Sequence, residues 1–144
     1  MDWLVNVYAD IFRKIKRGNY HGTMSNAKPI YLISLIDYSP QIATNAFEFL
    51  DEHLIQIYDT QKRLLDETCK TPFINPFFHL GSESFYQLVW NGNTKPKTNS
   101  HTPSAKYLRE NLLYAKLDDE LWDLLQVDEN RQYLKNVIIN SYLK

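Results

Sequence analysis

Cysteine is nearly absent from this sequence. Its 144 residues contain one, Cys69, so no disulfide within the chain can hold the fold together. No spacing of Cys and His resembles a zinc site, and no apolar run approaches the length of a membrane-spanning helix. Asp2 and other polar residues interrupt the apolar residues at the N-terminus, unlike a secretory signal. These absences predict a cytoplasmic protein with no membrane segment, no metal and no cofactor.

The sequence also lacks the motifs of common catalytic sites. It contains no GxSxG, no GxxxxGKS/T and no HExxH. Its four histidines are scattered along the chain: His21, His53, His79 and His101. A carboxylate run at residues 118–120 precedes an apolar helical pattern, where acidic side chains cap a helix and complement its dipole. We therefore predict a binding module that is not an enzyme.

The spacing of apolar residues predicts a mostly helical domain. Six segments have helical periodicity: residues 2–17, 29–39, 51–67, 106–116, 119–126 and 128–143. Pro29 suits the first turn of the second segment, and Asp51 and Ser104 suit the N-caps of the third and fourth. Residues 45–49 alternate as a short strand would. A chain of this length buries about two-thirds of its unfolded surface, which is enough for one domain.

Residues 71–90, TPFINPFFHLGSESFYQLVW, concentrate aromatic side chains. Residues 74–80 and 85–90 predict two strands, because the Gly-Ser-Glu-Ser between them has the length and composition of a hairpin turn. We predict that the rings of the second strand belong to the core: Phe85, Tyr86 and Trp90. Residues 91–104 follow as a polar loop. The predicted fold class is α+β, a mostly helical single domain with a small antiparallel β-sheet or hairpin.

Charge is unevenly distributed along the chain, although the net charge is −1. Residues 1–28 carry five basic and two acidic side chains, and residues 92–116 carry five basic and one acidic. A basic face built from the two segments would suit the phosphate backbone of DNA, whereas solvated charge runs would need no partner. The candidate phosphate contacts are Arg13, Lys14, Arg17, Lys95 and Lys97.

Three stretches, taken in order, resemble a known family. They are AKPIYLISLID (27–37), NPFFHLGSESFYQL (75–88) and YAKLDDELWDLLQVDENRQYLKNVIINSYL (114–143). The set is similar to the sulfur-binding domain found beside HNH nuclease domains in McrA-like type IV restriction endonucleases. This resemblance covers nearly the whole chain. It implies a domain that binds double-stranded DNA carrying phosphorothioate linkages and serves modification-dependent restriction in bacterial defence.

The resemblance also implies where the modified phosphate binds. Lys28 falls at the family's basic position just before the helix proline, where the cation approaches the modified phosphate. Asn75 and Pro76 fall on the family's aromatic-proline pair, whose proline ring forms part of the sulfur cavity. The loop HTPSAK falls in the region that faces the modified step and offers three further contacts: His101, Ser104 and Lys106.

Two positions depart from the family's pattern. Asn75 stands where the family has an aromatic residue, and Ala27 stands where it often has histidine. The candidates to supply the missing ring are Phe78, Tyr20 and Tyr31. His79 is either a further contact or a histidine held within the sheet.

The family's nuclease half is missing from this sequence. We therefore predict that residues 1–144 form a single sulfur-binding domain, which belongs with an HNH endonuclease in a longer protein. A different class of function is a protein-interaction or dimerisation module that uses the aromatic hairpin as an apolar patch. Whether the chain forms a homodimer is open at this point.

Overall fold

A buried helix, α2 (Ala27–Tyr38), lies at the centre of the fold. The computed structural model describes residues 3–20, 22–97 and 101–144, and only the backbone of Tyr20. Nearly every side chain of α2 is buried, because the segment is apolar on all sides. Helices α3 (Glu52–Leu65), α4 (Ile74–His79) and α7 (Asp128–Ile138) pack against it. The hydroxyl of Ser34 donates to the carbonyl oxygen of Ile30 at 2.8 Å, which satisfies a polar group inside the core.

The remaining helices are short and lie around this centre. They are α1 (Trp3–Phe12), α5 (Ala105–Asn111) and α6 (Asp119–Leu124). Helix α7 continues into a π-helical turn at Ile139–Leu143, and 3₁₀ turns follow α2 and α4 at Ser39–Gln41 and Leu80–Ser82. No helix in the described ranges is long and apolar enough to cross a membrane.

Two small antiparallel sheets complete the described structure. Strands β1 (Asn19–Tyr20) and β2 (Thr23–Met24) form a short hairpin between α1 and α2. Strands β3 (Tyr86–Trp90) and β4 (Leu112–Leu117) pair with Tyr86 opposite Leu117. The predicted α+β class, mostly helical with a small antiparallel sheet, is therefore confirmed.

The predicted hairpin over residues 74–90 is wrong in its first strand. Residues 74–79 form helix α4, and β3 pairs with β4 instead. Pro76 is compatible with this because it lies in the first helical turn, where no backbone N–H is needed. Phe73 and Phe77 are separated by four residues, so both rings lie on the same face of the helix and enter the core. Their ring centroids are 5.3 Å apart.

The predicted helix over residues 106–116 is right only in its first half. Ser104 caps α5 by accepting a hydrogen bond from the backbone N–H of Tyr107, as predicted. From Leu112 the chain becomes strand β4, in which Ala115 and Leu117 are buried with the two-residue period of a sheet. Long-range pairing with β3 therefore overrides the local helical preference.

Two other expectations need smaller corrections. The predicted strand at residues 45–49 is reduced to a single bridge between Phe47 and Ala115. Asp118 forms no side-chain cap at α6; its carboxylate accepts a hydrogen bond from the Tyr8 hydroxyl at 2.8 Å. The predicted cap at Asp51 is confirmed, because its carboxylate accepts from the backbone N–H of His53 at 3.0 Å.

The aromatic patch proposed for protein interaction is not formed. Five rings of residues 71–90 are buried: Phe73, Phe77, Phe78, Phe85 and Tyr86. Burial of these rings removes the feature on which the protein-interaction hypothesis depended. This single chain does not test whether the protein forms a homodimer.

Candidate nucleic-acid interface

A cleft of about 930 Å³ opens beside helix α4 and the turn that follows it. Its other walls are the segment after α1, the first turn of α2 and strand β3. Lys95 and Pro96 lie at its rim. The cleft brings together six residues that the sequence analysis selected: Arg17, Lys28, Asn75, Pro76, Phe78 and His79. Lys95 is the seventh. The described part of the chain contains no group of three or more His, Cys, Asp or Glu able to hold a metal ion.

The apolar wall of the cleft comes from helix α4. Pro76 and Phe78 are buried, and both line the cleft. The turn after α4 packs closely on β3 through Gly81, where an added Cβ would come within 3.1 Å of Leu88 Cδ1. A ligand that enters here therefore meets a ring surface held against the core.

Lys28 provides a cation inside the cleft. It is half-buried in the first turn of α2, and its Nζ donates to the Ser82 hydroxyl at 3.2 Å. Burial lowers the pKa of Lys28, Glu83 opposes this shift, and Lys16 adds to it. No carboxylate of the described residues lies within ion-pair distance of Lys28, so an anionic ligand would supply the missing partner.

The end of α1 carries two more cations to the same cleft. The Tyr142 hydroxyl donates to the Phe12 carbonyl oxygen at 2.6 Å and accepts from the Ile15 backbone N–H at 2.8 Å, so the helix ends earlier than the predicted residue 17. The chain then turns, and Lys16 and Arg17 line the cleft. Tyr142 thus connects the C-terminal turn to the position of these two basic residues.

Arg17 is held in place by two neighbours. Its Nη1 donates to the Asn26 Oδ1 at 2.9 Å, and its guanidinium lies 5.0 Å from the centre of the Tyr142 ring. Among the described residues, four cations and one carboxylate line the cleft, namely Lys16, Arg17, Lys28 and Lys95 with Glu83. The cleft is therefore basic although the chain as a whole has a net charge of −1.

His79 joins the cleft to the loop that precedes α5. Its Nε2 is 2.7 Å from the Thr102 hydroxyl. Burial lowers the pKa of His79, and the charge of Lys28 lowers it further. His79 is the last residue of helix α4, so the expectation of a sheet histidine is wrong.

Trp90 belongs to the cleft, contrary to the prediction that it is a core residue. It is half-buried, packs edge-on against Phe78 at 6.4 Å between ring centroids, and lines the cleft. Phe85 and Tyr86 are buried as predicted. The position of Trp90 near the end of β3 explains the difference, because pairing with β4 is irregular between Val89 and Trp90.

Tyr31 does not line the cleft, which corrects its selection as a replacement ring. The Tyr31 side chain is fully buried, and its hydroxyl lies 3.0 Å from the Tyr86 hydroxyl. The Tyr86 hydroxyl in turn donates to the Phe77 carbonyl oxygen. Phe78, the second candidate, does line the cleft. The side chain of Tyr20, the third candidate, lies outside the described residues.

The other selected residues surround the cleft without lining it. His101, Ser104 and Lys106 are exposed close in sequence to Thr102, which contacts His79. Arg13 and Lys14 are exposed just after α1, and Arg13 pairs with Asp10 at 2.7 Å. Lys97 is exposed near Lys95.

Several lining residues were missed by sequence reasoning. They are Lys16, Ser82, Glu83, Gln87 and Trp90. Lys16 stood in the recognised basic run, so its charge was a usable signal. The other four residues lie in the turn after α4 and in β3. They were missed because the incorrect hairpin prediction gave the chain a different path there.

Comparison with known proteins identifies the fold. No protein-family model and no curated protein matches this sequence. A solved structure of the sulfur binding domain of ScoMcrA complexed with phosphorothioated DNA matches with a TM-score of 0.69, over 94% of this chain and 86% of that chain, at 12% sequence identity. The chain therefore has the fold of a sulfur-binding domain, and the resemblance inferred from the three stretches is confirmed at the level of the fold.

Proposed function

We propose that this chain is a non-catalytic reader domain that binds double-stranded DNA carrying phosphorothioate linkages. The observation that carries the proposal is the cleft in which the ring of Pro76 and the ammonium group of Lys28 line one space. The shared fold with a domain solved on phosphorothioated DNA supports the same assignment.

The cleft suits sulfur because sulfur is larger, more polarisable and less strongly hydrated than oxygen. An apolar wall accepts such an atom at little desolvation cost, whereas an anionic oxygen on the same wall loses its water without a replacement. Pro76 and the buried Phe78 supply this wall. Burial of a group of this size is worth about 1–3 kcal/mol, which sets the scale of the preference for modified DNA.

The cation requirement follows from the ligand's charge. A phosphorothioate keeps the negative charge of the phosphate, so the apolar wall alone would leave a charge unpaired. In the proposal Lys28 pairs with the modified phosphate, and Lys16, Arg17 and Lys95 contact neighbouring phosphates. The latter contacts supply affinity without reading sequence.

The exposed residues around the cleft extend the interface in this proposal. Arg13, Lys14 and Lys97 would contact phosphates farther along the duplex. His101, Ser104 and Lys106 would face the groove beside the modification, since hydroxyl and ring nitrogen atoms pair with base edges. The contact of His79 with Thr102 would hold that loop against the cleft.

The biological setting is part of the proposal and rests on the family resemblance. We propose that the domain serves modification-dependent restriction in the bacterial cytoplasm, beside an HNH endonuclease domain in a longer protein. The domain would select the DNA, and the nuclease would cut it.

Gel-shift titration tests the proposed function. Two duplexes of the same sequence, one with a single phosphorothioate linkage and one unmodified, are titrated with the protein. We expect tighter binding of the modified duplex and a steep loss of affinity for both as salt rises. Equal affinity would overturn the sulfur claim, and metal-dependent cleavage by the purified chain would overturn the non-catalytic assignment.

A further inference from the structure

Asn75 carries an unusual amide within the cleft. Among the half-buried Asn and Gln residues of the described chain, it is the one whose side-chain amide has no hydrogen bond to another described residue. The amides of Asn26 and Asn45, for example, both bond to the protein. No fully buried side-chain nitrogen or oxygen of the described residues lacks a partner, so the Asn75 amide is open to the solvent of the cleft.

The neighbour of this amide has the opposite chemistry. Pro76, the next residue in the first turn of α4, is buried and apolar, and both residues line the cleft. An amide N–H donates best to a small oxygen that concentrates negative charge, whereas sulfur spreads its charge and is a weak acceptor. An amide left without a partner after a ligand has displaced its water is costly.

We propose that Asn75 is a specificity-determining residue that donates a hydrogen bond to the non-bridging oxygen of the phosphorothioate and directs the sulfur toward Pro76. The inference rests on the proposed function of the cleft. A phosphorothioate carries one non-bridging oxygen and one sulfur on the same phosphorus atom. The two adjacent residues therefore recognise the two atoms separately.

Two consequences follow from the chemistry of phosphorus. Phosphorus with one oxygen and one sulfur is chiral, so one diastereomer meets both residues correctly and the other places sulfur against the amide. A phosphorodithioate, which has sulfur at both positions, offers the Asn75 amide no non-bridging oxygen. Both mismatched ligands should bind more weakly than the matched monothioate.

The test uses four duplexes of one sequence and three variants. The duplexes carry an unmodified linkage, either stereochemically pure monothioate, or a dithioate, and dissociation constants are measured by fluorescence anisotropy. The variants are Asn75→Leu, Asn75→Ala and the control Asn136→Leu, which removes an exposed amide on α7 whose side chain bonds to none of the described residues. Thermal unfolding of each variant establishes that it is folded, and Asn75→Ala serves if Asn75→Leu is not.

We expect the wild-type chain to bind the matched monothioate about fivefold more tightly than the dithioate, and to disfavour the other diastereomer by a larger factor, because that ligand also loses sulfur burial against Pro76. Both Asn75 variants should bring the dithioate ratio close to one and reduce the diastereomer ratio to the part that sulfur burial against Pro76 supplies, while Asn136→Leu retains both ratios. Ratios that are unchanged in the Asn75 variants, or an equal loss of affinity for all four duplexes, would overturn the role of Asn75 alone. Equal wild-type affinity for the unmodified duplex and both monothioates would contradict the proposed function, and this inference with it.

Discussion

Helix α4 presents two sides of different character. Phe77 points into the core, where its ring lies 6.1 Å from that of Tyr31 and 5.5 Å from that of Phe49. Asn75, Pro76 and His79 line the basic cleft. One six-residue helix thus joins the packed centre of the protein to the proposed ligand site. A substitution on the core side of α4 should therefore change stability, and a substitution on the cleft side should change DNA binding.

The largest expected effect is on the core side. Phe77→Ala removes a fully buried ring and leaves a cavity among the aromatic residues, so we expect the free energy of unfolding to fall by about 3–5 kcal/mol. Chemical denaturation measures this loss. Leu64→Ala on α3 is the matched control, because Leu64 is 74% exposed, and its substitution should change stability by less than about 0.5 kcal/mol. A small effect of Phe77→Ala would contradict the described core.

The second prediction concerns the cation of the cleft. Lys28→Ala should weaken binding of modified DNA by about 1.5–3 kcal/mol, because a charge-assisted contact to phosphate is lost. The slope of log affinity against log salt concentration should also become shallower by about one, because one fewer counterion is released on binding. Lys97→Ala, which removes an exposed lysine outside the cleft lining, should have a smaller effect. Anisotropy titrations at several salt concentrations provide both quantities, and an equal loss in the two variants would place the modified phosphate elsewhere.

The third prediction concerns the apolar wall. Pro76→Ala removes most of the ring surface while keeping a residue that suits the first turn of a helix. We expect the preference for modified over unmodified DNA to shrink by about 1 kcal/mol, with little change in the affinity for unmodified DNA. Titration of both duplexes measures the preference, and thermal unfolding checks that the variant is folded. A uniform loss for both duplexes would indicate an ordinary phosphate contact at Pro76.

The smallest expected effect is a pH dependence that comes from His79. Its pKa is lowered from the ordinary value of 6.5 by burial and by Lys28, so the folded state binds this proton less readily than the unfolded state. The contribution of His79 to the free energy of unfolding is therefore fully present above pH 6.5 and decreases as the pH falls toward the lowered pKa. His79→Gln should reduce this dependence, as measured by denaturation between pH 5 and 8 in steps of about half a unit. An identical pH profile in the variant would show that other groups cause it.

The sequence predicted the helices better than the pairing of strands. Apolar periodicity correctly located α2, α3 and α7, because each buries a continuous face that a single segment displays. The partner of β3 is β4, whose pairing spans about thirty residues of chain and leaves no local signal. Aromatic residues at 73 and 77 fit a helix as well as a strand, and only the position of α2 decides between them.

The site shows a similar division. Lys28, Asn75 and Pro76 were selected through motif resemblance, and the fold brings all three to one cleft. Lys16, Ser82 and Trp90 were missed, because their place depends on where α1 ends, how the turn follows α4, and which strand pairs with β3. Tyr31 was selected as a candidate for the ring missing at Asn75, but the all-round burial of α2 places it in the core.

The most direct measurement of the central claim is the ratio of the dissociation constants for unmodified and phosphorothioate duplexes, determined at several salt concentrations. Both duplexes carry the same charge, so their affinities should fall in parallel as salt rises. We expect a ratio well above one that stays constant with salt, because burial of sulfur against Pro76 is not an electrostatic effect. A ratio of one, or a ratio that disappears as salt rises, would contradict a sulfur-reading cleft.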